Sequence, residues 1–461
     1  MLKFTPEAPL LTRTTVAVAC LLSLPVFAQP GPTVLPALQG LAGVTALENM
    51  PDGQAALKAN FQVTGAIQDG SAKQKTLLPW PEQQQQALRD AFITGSNANE
   101  LADALGSKLG GAYQAAAACT SSDGGKASQC TDLSPAVAQL IGYAAATSGA
   151  DSGAAKFFFA NATTDGKTPV SPDAAMVLTA IGGKPDMFGR AYNLPAGTAN
   201  ANPYGNSRPF QTEPHLTTID GPDFFGAPSN NTAYLRGPAQ NLTASPSFPS
   251  GHTTYGYTEG LILALLVPER YPQMVARAAE YGNDRIVLGA HYAMDVIGGR
   301  TVALYDLAHL LANTPGYVGA QRGKFKIDDF PATFATARAE FAKALEAPCG
   351  GAIHSCIGHD KSRFADPVRN ETFYETTQTY GLGIVFKQPK GAKEDVAKLA
   401  PEAGYLLTAA YPYLTLSQAD DILTATEGPG GGFLDNGTGF GVYSRLDLYR
   451  AALKAAAMRK H

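Results

Sequence analysis

Between Phe248 and Asp295 the chain sets two of its seven histidines, an arginine and a carboxylate around an apolar run, and this stretch restricts the possible folds most. Pro249 and Gly251 favour a turn, Ser250 suits a cap, and Thr253 to Val267 read as a buried helix. Ser250, Gly251 and His252 therefore fall at a helix N-terminus. There the unpaired N–H groups and the positive end of the macrodipole attract phosphate or a related oxyanion. His291 and Asp295, four apart, share one face of a second helix, so the carboxylate can fix the imidazole tautomer and leave the other ring nitrogen free. Arg285, just before that helix, offers a planar fork for two anion oxygens. A Ser-Gly-His triplet or an i, i+4 His-Asp pair alone is more often structural than catalytic. All these parts in one short stretch point to chemistry on an anion.

With Arg208-Pro209 upstream, the segments Pro249-Ser250-Gly251-His252 and Arg285, His291, Asp295 resemble, in order and spacing, the three motifs of the type 2 phosphatidic acid phosphatase and vanadium haloperoxidase superfamily. The likeness implies that His291 is the nucleophile and forms a phosphohistidine. It makes Asp295 the residue that orients His291, and His252 the proton donor to the leaving oxygen. Arg208, Arg285, Ser250 and Gly251 would hold the phosphoryl oxygens. Two positions depart from the pattern. The lysine seven residues before the Arg of Arg-Pro is replaced by Ala201, which removes one cation unless another, such as Lys184 or Arg190, folds in. The serine before the second arginine is Asp284, which can still serve as a helix cap.

Residues 1–28 carry Lys3 and Arg13, then an apolar run from Thr14 to Phe27, and read as a signal peptide. No later stretch reaches the roughly 18 apolar residues of a spanning helix, so a periplasmic or secreted protein with no transmembrane segment is expected. Cys119, Cys130, Cys349 and Cys356 remain after Cys20 leaves with the signal, and short gaps favour two local disulfides. His354 and His359 keep a metal site open as the lesser alternative.

Gln29 to Trp80 is polar with weak periodicity and is expected to be an irregular arm. Helical spacing of apolar residues follows in Gln84–Phe92, Asn99–Ala118, Pro135–Thr147 and Pro172–Ile181, and again in Tyr292–Ala312 and Phe330–Leu345. The expected fold is all-α. In it, residues 81–315 form a helical-bundle core and residues 316–461 a helical extension packed on it. Gly182 to Phe248 is a long irregular loop that walls the site, with Tyr204, Phe210, Phe224 and Phe225 as pocket walls or loop anchors. Glu213 and His215 in this loop are more often surface groups than proton donors, and His309 more often a core histidine than a ligand.

A net charge of −4 with 16% charged residues leaves no basic patch for nucleic acid. The resemblance implies a phosphomonoesterase of the acid phosphatase kind, taking a small phosphorylated substrate and requiring no metal or cofactor. A vanadium-dependent haloperoxidase, with vanadate on His291, is the alternative, and a non-catalytic anion-binding protein on the same scaffold is a third reading. The absent lysine weighs against a cofactor that must stay bound. The sequence leaves the particular ester and the oligomeric state open.

Overall fold

The computed structural model describes residues 33–72, 76–92, 98–122, 127–160, 186–213, 215–231, 242–357, 362–387 and 390–459. The signal peptide, the helix expected over Pro172–Ile181, Lys184 and His359 lie outside them. Helices dominate, and the described strands form three two-stranded pairs, so the fold is all-α.

The principal helices are α1 (Val34–Leu41), α2 (Pro51–Gln68), α3 (Trp80–Asp90), α4 (Ser107–Ala116), α5 (Pro135–Phe158), α6 (Gly251–Leu266), α7 (Tyr271–Val287), α8 (Ala293–Leu311), α9 (Phe330–Cys349), α10 (Pro367–Thr379), α11 (Leu416–Thr426) and α12 (Leu448–Met458). Their starts follow from local chemistry. Ser134 caps α5 ahead of Pro135, Ser250 caps α6 by accepting the Thr253 N–H at 3.1 Å, and α7 opens with Pro272 in its first turn.

Helix α6 is the centre, packed on α5, α7 and α8. Its apolar residues Leu261 to Leu266 are buried all round, the pattern of a helix enclosed by others. Two glycines permit the close approach. A Cβ on Gly256 would lie 2.2 Å from the Tyr281 ring of α7, and one on Gly299 of α8 only 2.3 Å from the Ser250 carbonyl oxygen. The start of α6 therefore sits directly against α8, and Thr254 Oγ1 donates to the Gly299 carbonyl at 3.2 Å.

The N-terminal arm is not irregular. It forms α1, a 3₁₀ stretch over Ala42–Asn49 and the 18-residue α2. Its signal is weak because the inward face of α2 carries Asn60, Thr64 and Gln68, all buried. Those polar groups have work to do. Thr64 Oγ1 accepts the Ala293 N–H at 3.1 Å and Asn60 Oδ1 the Met294 N–H at 2.8 Å, satisfying two orphan donors in the first turn of α8.

The C-terminal segment packs on the same bundle. Helices α10 and α12 contact α7. The buried Arg300 of α8 donates to the carbonyls of Thr377 (3.2 Å), Gln378 (3.1 Å) and Ser444 (2.8 Å). Both expected disulfides are present, Cys119–Cys130 across a β-hairpin and Cys349–Cys356 after α9. Among the described residues no helix is long and apolar enough to cross a membrane.

A second buried polar cluster ties α1 to the bundle. Asp151 of α5 accepts from Thr33 Oγ1 at 2.8 Å and faces Asp306 of α8, with Arg322 nearby. Burial raises both carboxyls, Asp306 well above its usual range and Asp151 to about 6.

Two outcomes follow from these contacts. Asn60→Ala leaves the Met294 N–H unpaired and should lower stability by about 1–3 kcal/mol in thermal or urea melts; an unchanged midpoint would remove α2 as a support of α8. For Asp151, the folded chain holds a proton between roughly pH 4 and 6 that the unfolded chain has released, so stability falls as pH rises through that window. Asp151→Asn should accordingly stabilise at pH 7–8, by up to about 3 kcal/mol, and give no gain at pH 4. Equal effects at both pH values would refute the assignment.

Candidate active site

The N-terminus of α6 and the residues just before α8 face one another. His252 occupies the first turn of α6 and His291 lies two residues ahead of α8, not on it. Their shared face arises differently from the expected i, i+4 helical pair. Asp295, in the first turn of α8, reaches back. Its Oδ2 accepts the Tyr292 N–H at 2.8 Å and lies 3.3 Å from His291 Nδ1. Ser247 Oγ also donates to this oxygen. The Asp295 backbone carbonyl accepts the Ser250 N–H at 2.9 Å, joining the two motifs through one residue.

With its Nδ1 directed at a carboxylate, His291 presents Nε2 to the site. That atom lies 3.0 Å from His252 Nδ1 and 3.0 Å from Arg208 Nη1. Both imidazoles are held well below their usual range, His252 by burial and then by Arg285, His291 by burial and then by Arg208. Neutral rings result, and His291 keeps an unprotonated Nε2 whose lone pair accepts from Arg208 Nη1 at 3.0 Å until a substrate takes that place. Burial lifts Asp295 to about 6, opposed by the Ser247 hydroxyl and the Tyr292 N–H.

The arginines differ in their ties. Arg208 is buried and pinned, donating to the carbonyls of Ser245 (2.7 Å), Ala290 (2.9 Å) and Pro246 (3.2 Å) and to Ser245 Oγ (3.0 Å). Arg285 lies with its guanidinium carbon 3.9 Å over the Tyr281 ring, and its Nε and Nη2 are buried without a hydrogen-bond partner among the described residues. Buried N–H donors of this kind are costly unless an acceptor completes them, and a phosphoryl oxygen is such an acceptor.

Asp284 is no cap. It lies inside the last turn of α7, fully buried, accepting from Gln83 Nε2 at 2.7 Å and facing Asp90. Burial and the neighbouring carboxylates raise it well above its usual range, which favours its neutral form beside Asp90, and Asp90 pairs with the buried Arg277. A run of acids and arginines thus backs the site behind Arg285.

A cavity of about 300 Å³ opens onto His252, lined by Lys156, Phe157, Arg208, Leu242, Gly251 and Tyr255 among others. Lys156, which the sequence reading passed over, comes from α5 and is 7% exposed. Of the cations suggested to replace the missing lysine, Arg190 pairs instead with Glu48 at 3.0 Å beside a separate cavity. Phe224 and Phe225 are loop anchors on Phe92, Phe224 stacked with centroids 4.6 Å apart and Phe225 edge-on at 4.9 Å. Phe210 packs behind Leu242, and Tyr204 meets the edge of Phe157 at the cavity rim. His215 is exposed, Glu213 half-buried, and His309 rests between Tyr305 and Tyr317 in the core.

Sequence reasoning also missed Ser245 and Ser247. The only available signal was their place just ahead of Pro249-Ser250-Gly251-His252, in a run whose loop character concealed any specific role.

Residues 202–314 match the PAP2 superfamily, which covers Arg208, His252, Arg285, His291 and Asp295. The chain is 41% identical over 69 residues to a non-specific acid phosphatase of Salmonella typhimurium, 15% of this chain and 28% of that protein. An acid phosphatase of Zymomonas mobilis is 41% identical over 71 residues, 15% of this chain and 27% of its own length. A non-specific acid phosphatase of Providencia stuartii is 32% identical over 101 residues, 22% and 39% respectively. The chain thus spans between about a quarter and two fifths of the length of these relatives.

Proposed function

We propose that this chain, which belongs to the PAP2 superfamily through residues 202–314, hydrolyses phosphate monoesters through a phosphohistidine on His291. One observation carries the reading. A neutral, carboxylate-oriented imidazole nitrogen lies 3.0 Å from both an arginine and a second histidine, beside an arginine whose buried Nε and Nη2 lack partners among the described residues.

In the first step His291 Nε2 attacks phosphorus and the ester oxygen leaves. Asp295 Oδ2 accepts the Nδ1–H and stabilises the imidazolium that forms. Charge on the equatorial oxygens is met by Arg208, by the two free donors of Arg285 and by the N–H groups at the start of α6. His252 protonates the leaving oxygen. Its low proton affinity in the free site comes from burial and neighbouring cations, so a bound dianion offsets those cations and draws a proton onto it. In the second step His252 takes a proton from water, which attacks the phosphohistidine and releases phosphate.

The same residues fit vanadate, with His291 Nε2 as the nitrogen ligand and the Arg285 donors for its oxygens, so a haloperoxidase remains the second reading. The observation in its favour is Lys156, since a cation at the cavity weakens the argument from the missing lysine. Assaying the purified protein with p-nitrophenyl phosphate, and separately with bromide and peroxide plus vanadate, separates the two. The two disulfides support placing the protein in an oxidising compartment, periplasmic or secreted.

His291→Ala should yield no phosphoenzyme with any ester. His252→Ala should lose about 10²- to 10⁴-fold on an alkyl phosphate and much less on p-nitrophenyl phosphate, whose leaving group needs little protonation. Wild-type turnover in the His291 variant would reverse the roles. Ser247→Ala removes a hydrogen bond that favours ionised Asp295, so its pKa should climb above about 6. The acid limb of kcat/KM against pH should then move upward, with a marked loss near pH 6 and little change at pH 8; a uniform loss at every pH would contradict this.

A further inference from the structure

We propose that Lys156, reaching in from α5, supplies the cation that the first motif lacks at Ala201 and holds an oxygen of the phosphoryl group between Arg208 and the start of α6. This rests on reading the site as a phosphoryl site.

The placement is specific. A Cβ built on Gly251 would lie 3.6 Å from Lys156 Nζ and 3.8 Å from Ser152 Oγ, so the amine stands over the first residue of α6, where the free N–H groups point. Gly149, Ser152, Gly153 and Lys156 recur at i, i+3, i+4 and i+7 on one face of α5, and all four line the cavity with Arg208 and His252. Gly153 leaves that face open, with nothing within 4 Å of a Cβ there, while Gly149 admits the Tyr255 ring, 2.7 Å from a Cβ, and the lysine stands beyond them.

The side chain is 7% exposed, and among the described residues its Nζ has no ion pair or hydrogen bond. A buried amine without an anion is unfavourable for folding, and α5 has ample apolar residues that would fill the position more stably. Four charged or titratable groups act on it or feel it. Arg208 disfavours its charge and Asp295 favours it, while both His252 and His291 respond to it. Burial holds its proton affinity well below that of an ordinary lysine. A bound phosphoryl dianion supplies the missing partner and raises that proton affinity again. The cation has therefore moved from the loop that bears Arg208 to a neighbouring helix, and α5 becomes part of the anion clamp.

Lys156→Met keeps the length and removes the amine, and Lys156→Gln repeats the test with a polar, uncharged head. Each should lower kcat/KM for p-nitrophenyl phosphate roughly 100-fold, the scale for losing one preorganised donor to a transition-state oxygen. Each should also weaken orthovanadate binding by calorimetry, with the ligand-free melting temperature unchanged or raised. Lys58→Met, beside the separate Arg190 cavity, should match wild type. Wild-type kcat/KM and vanadate affinity in both Lys156 variants would overturn the proposal. So would misfolding or a drop in melting temperature, because the amine would then have a structural role. If the wild-type protein binds vanadate but hydrolyses no ester, and the Lys156 variants lose that binding, the cation assignment stands while the hydrolase reading fails. If wild type does neither, both fall.

Discussion

Asp295 holds the site together. Its Oδ2 takes the Ser247 hydroxyl, the Tyr292 N–H and the Nδ1 side of His291, and its backbone carbonyl takes the Ser250 N–H. Two stretches, Ser247–Ser250 and His291–Asp295, thereby meet at one residue. A carboxylate that is fully buried can do this only because hydrogen-bond donors surround it; without them, burial would favour the protonated acid still more strongly. The geometry also needs the start of α6 to lie against α8, which the absence of a side chain at Gly299 allows.

Around this carboxylate the protein concentrates positive charge. Arg208, Arg285 and Lys156 all depress the proton affinity of the two histidines, and the free site is poised for an anion that would offset them. Their surroundings assign them different work. Arg208 is committed to backbone carbonyls and to His291, so it acts as a fixed wall. Arg285 has unused donors and a backing of buried acids reached through α7. Such a charge-rich interior is a poor way to gain stability and a good way to preorganise an electrostatic site.

The supports extend to both ends of the chain. Helix α2 satisfies the first N–H groups of α8, and Arg300 on α8 gathers carbonyls from the C-terminal helices. The segments outside the 202–314 match therefore bear directly on the helix that places Asp295.

The sequence by itself determined the helical class, the pairing of cysteines by proximity and the grouping of His252, Arg285, His291 and Asp295, because turn residues, caps and short spacings are local properties; Arg208, 44 residues before His252, joined them only through the family resemblance. It did not reveal α2, whose inward face is polar and so lacks the apolar periodicity that marks a helix. It misjudged Asp284, since whether an acid caps a helix or lies buried beside Asp90 depends on what packs against it. The sequence left Phe224 and Phe225 between wall and anchor, and their position on Phe92 was decided by a contact more than 130 residues away. Lys156 was decided only by tertiary structure. It lies 52 residues before Arg208 in an alanine-rich helix, and nothing in its neighbours distinguishes it from a solvated lysine until α5 is laid across the start of α6.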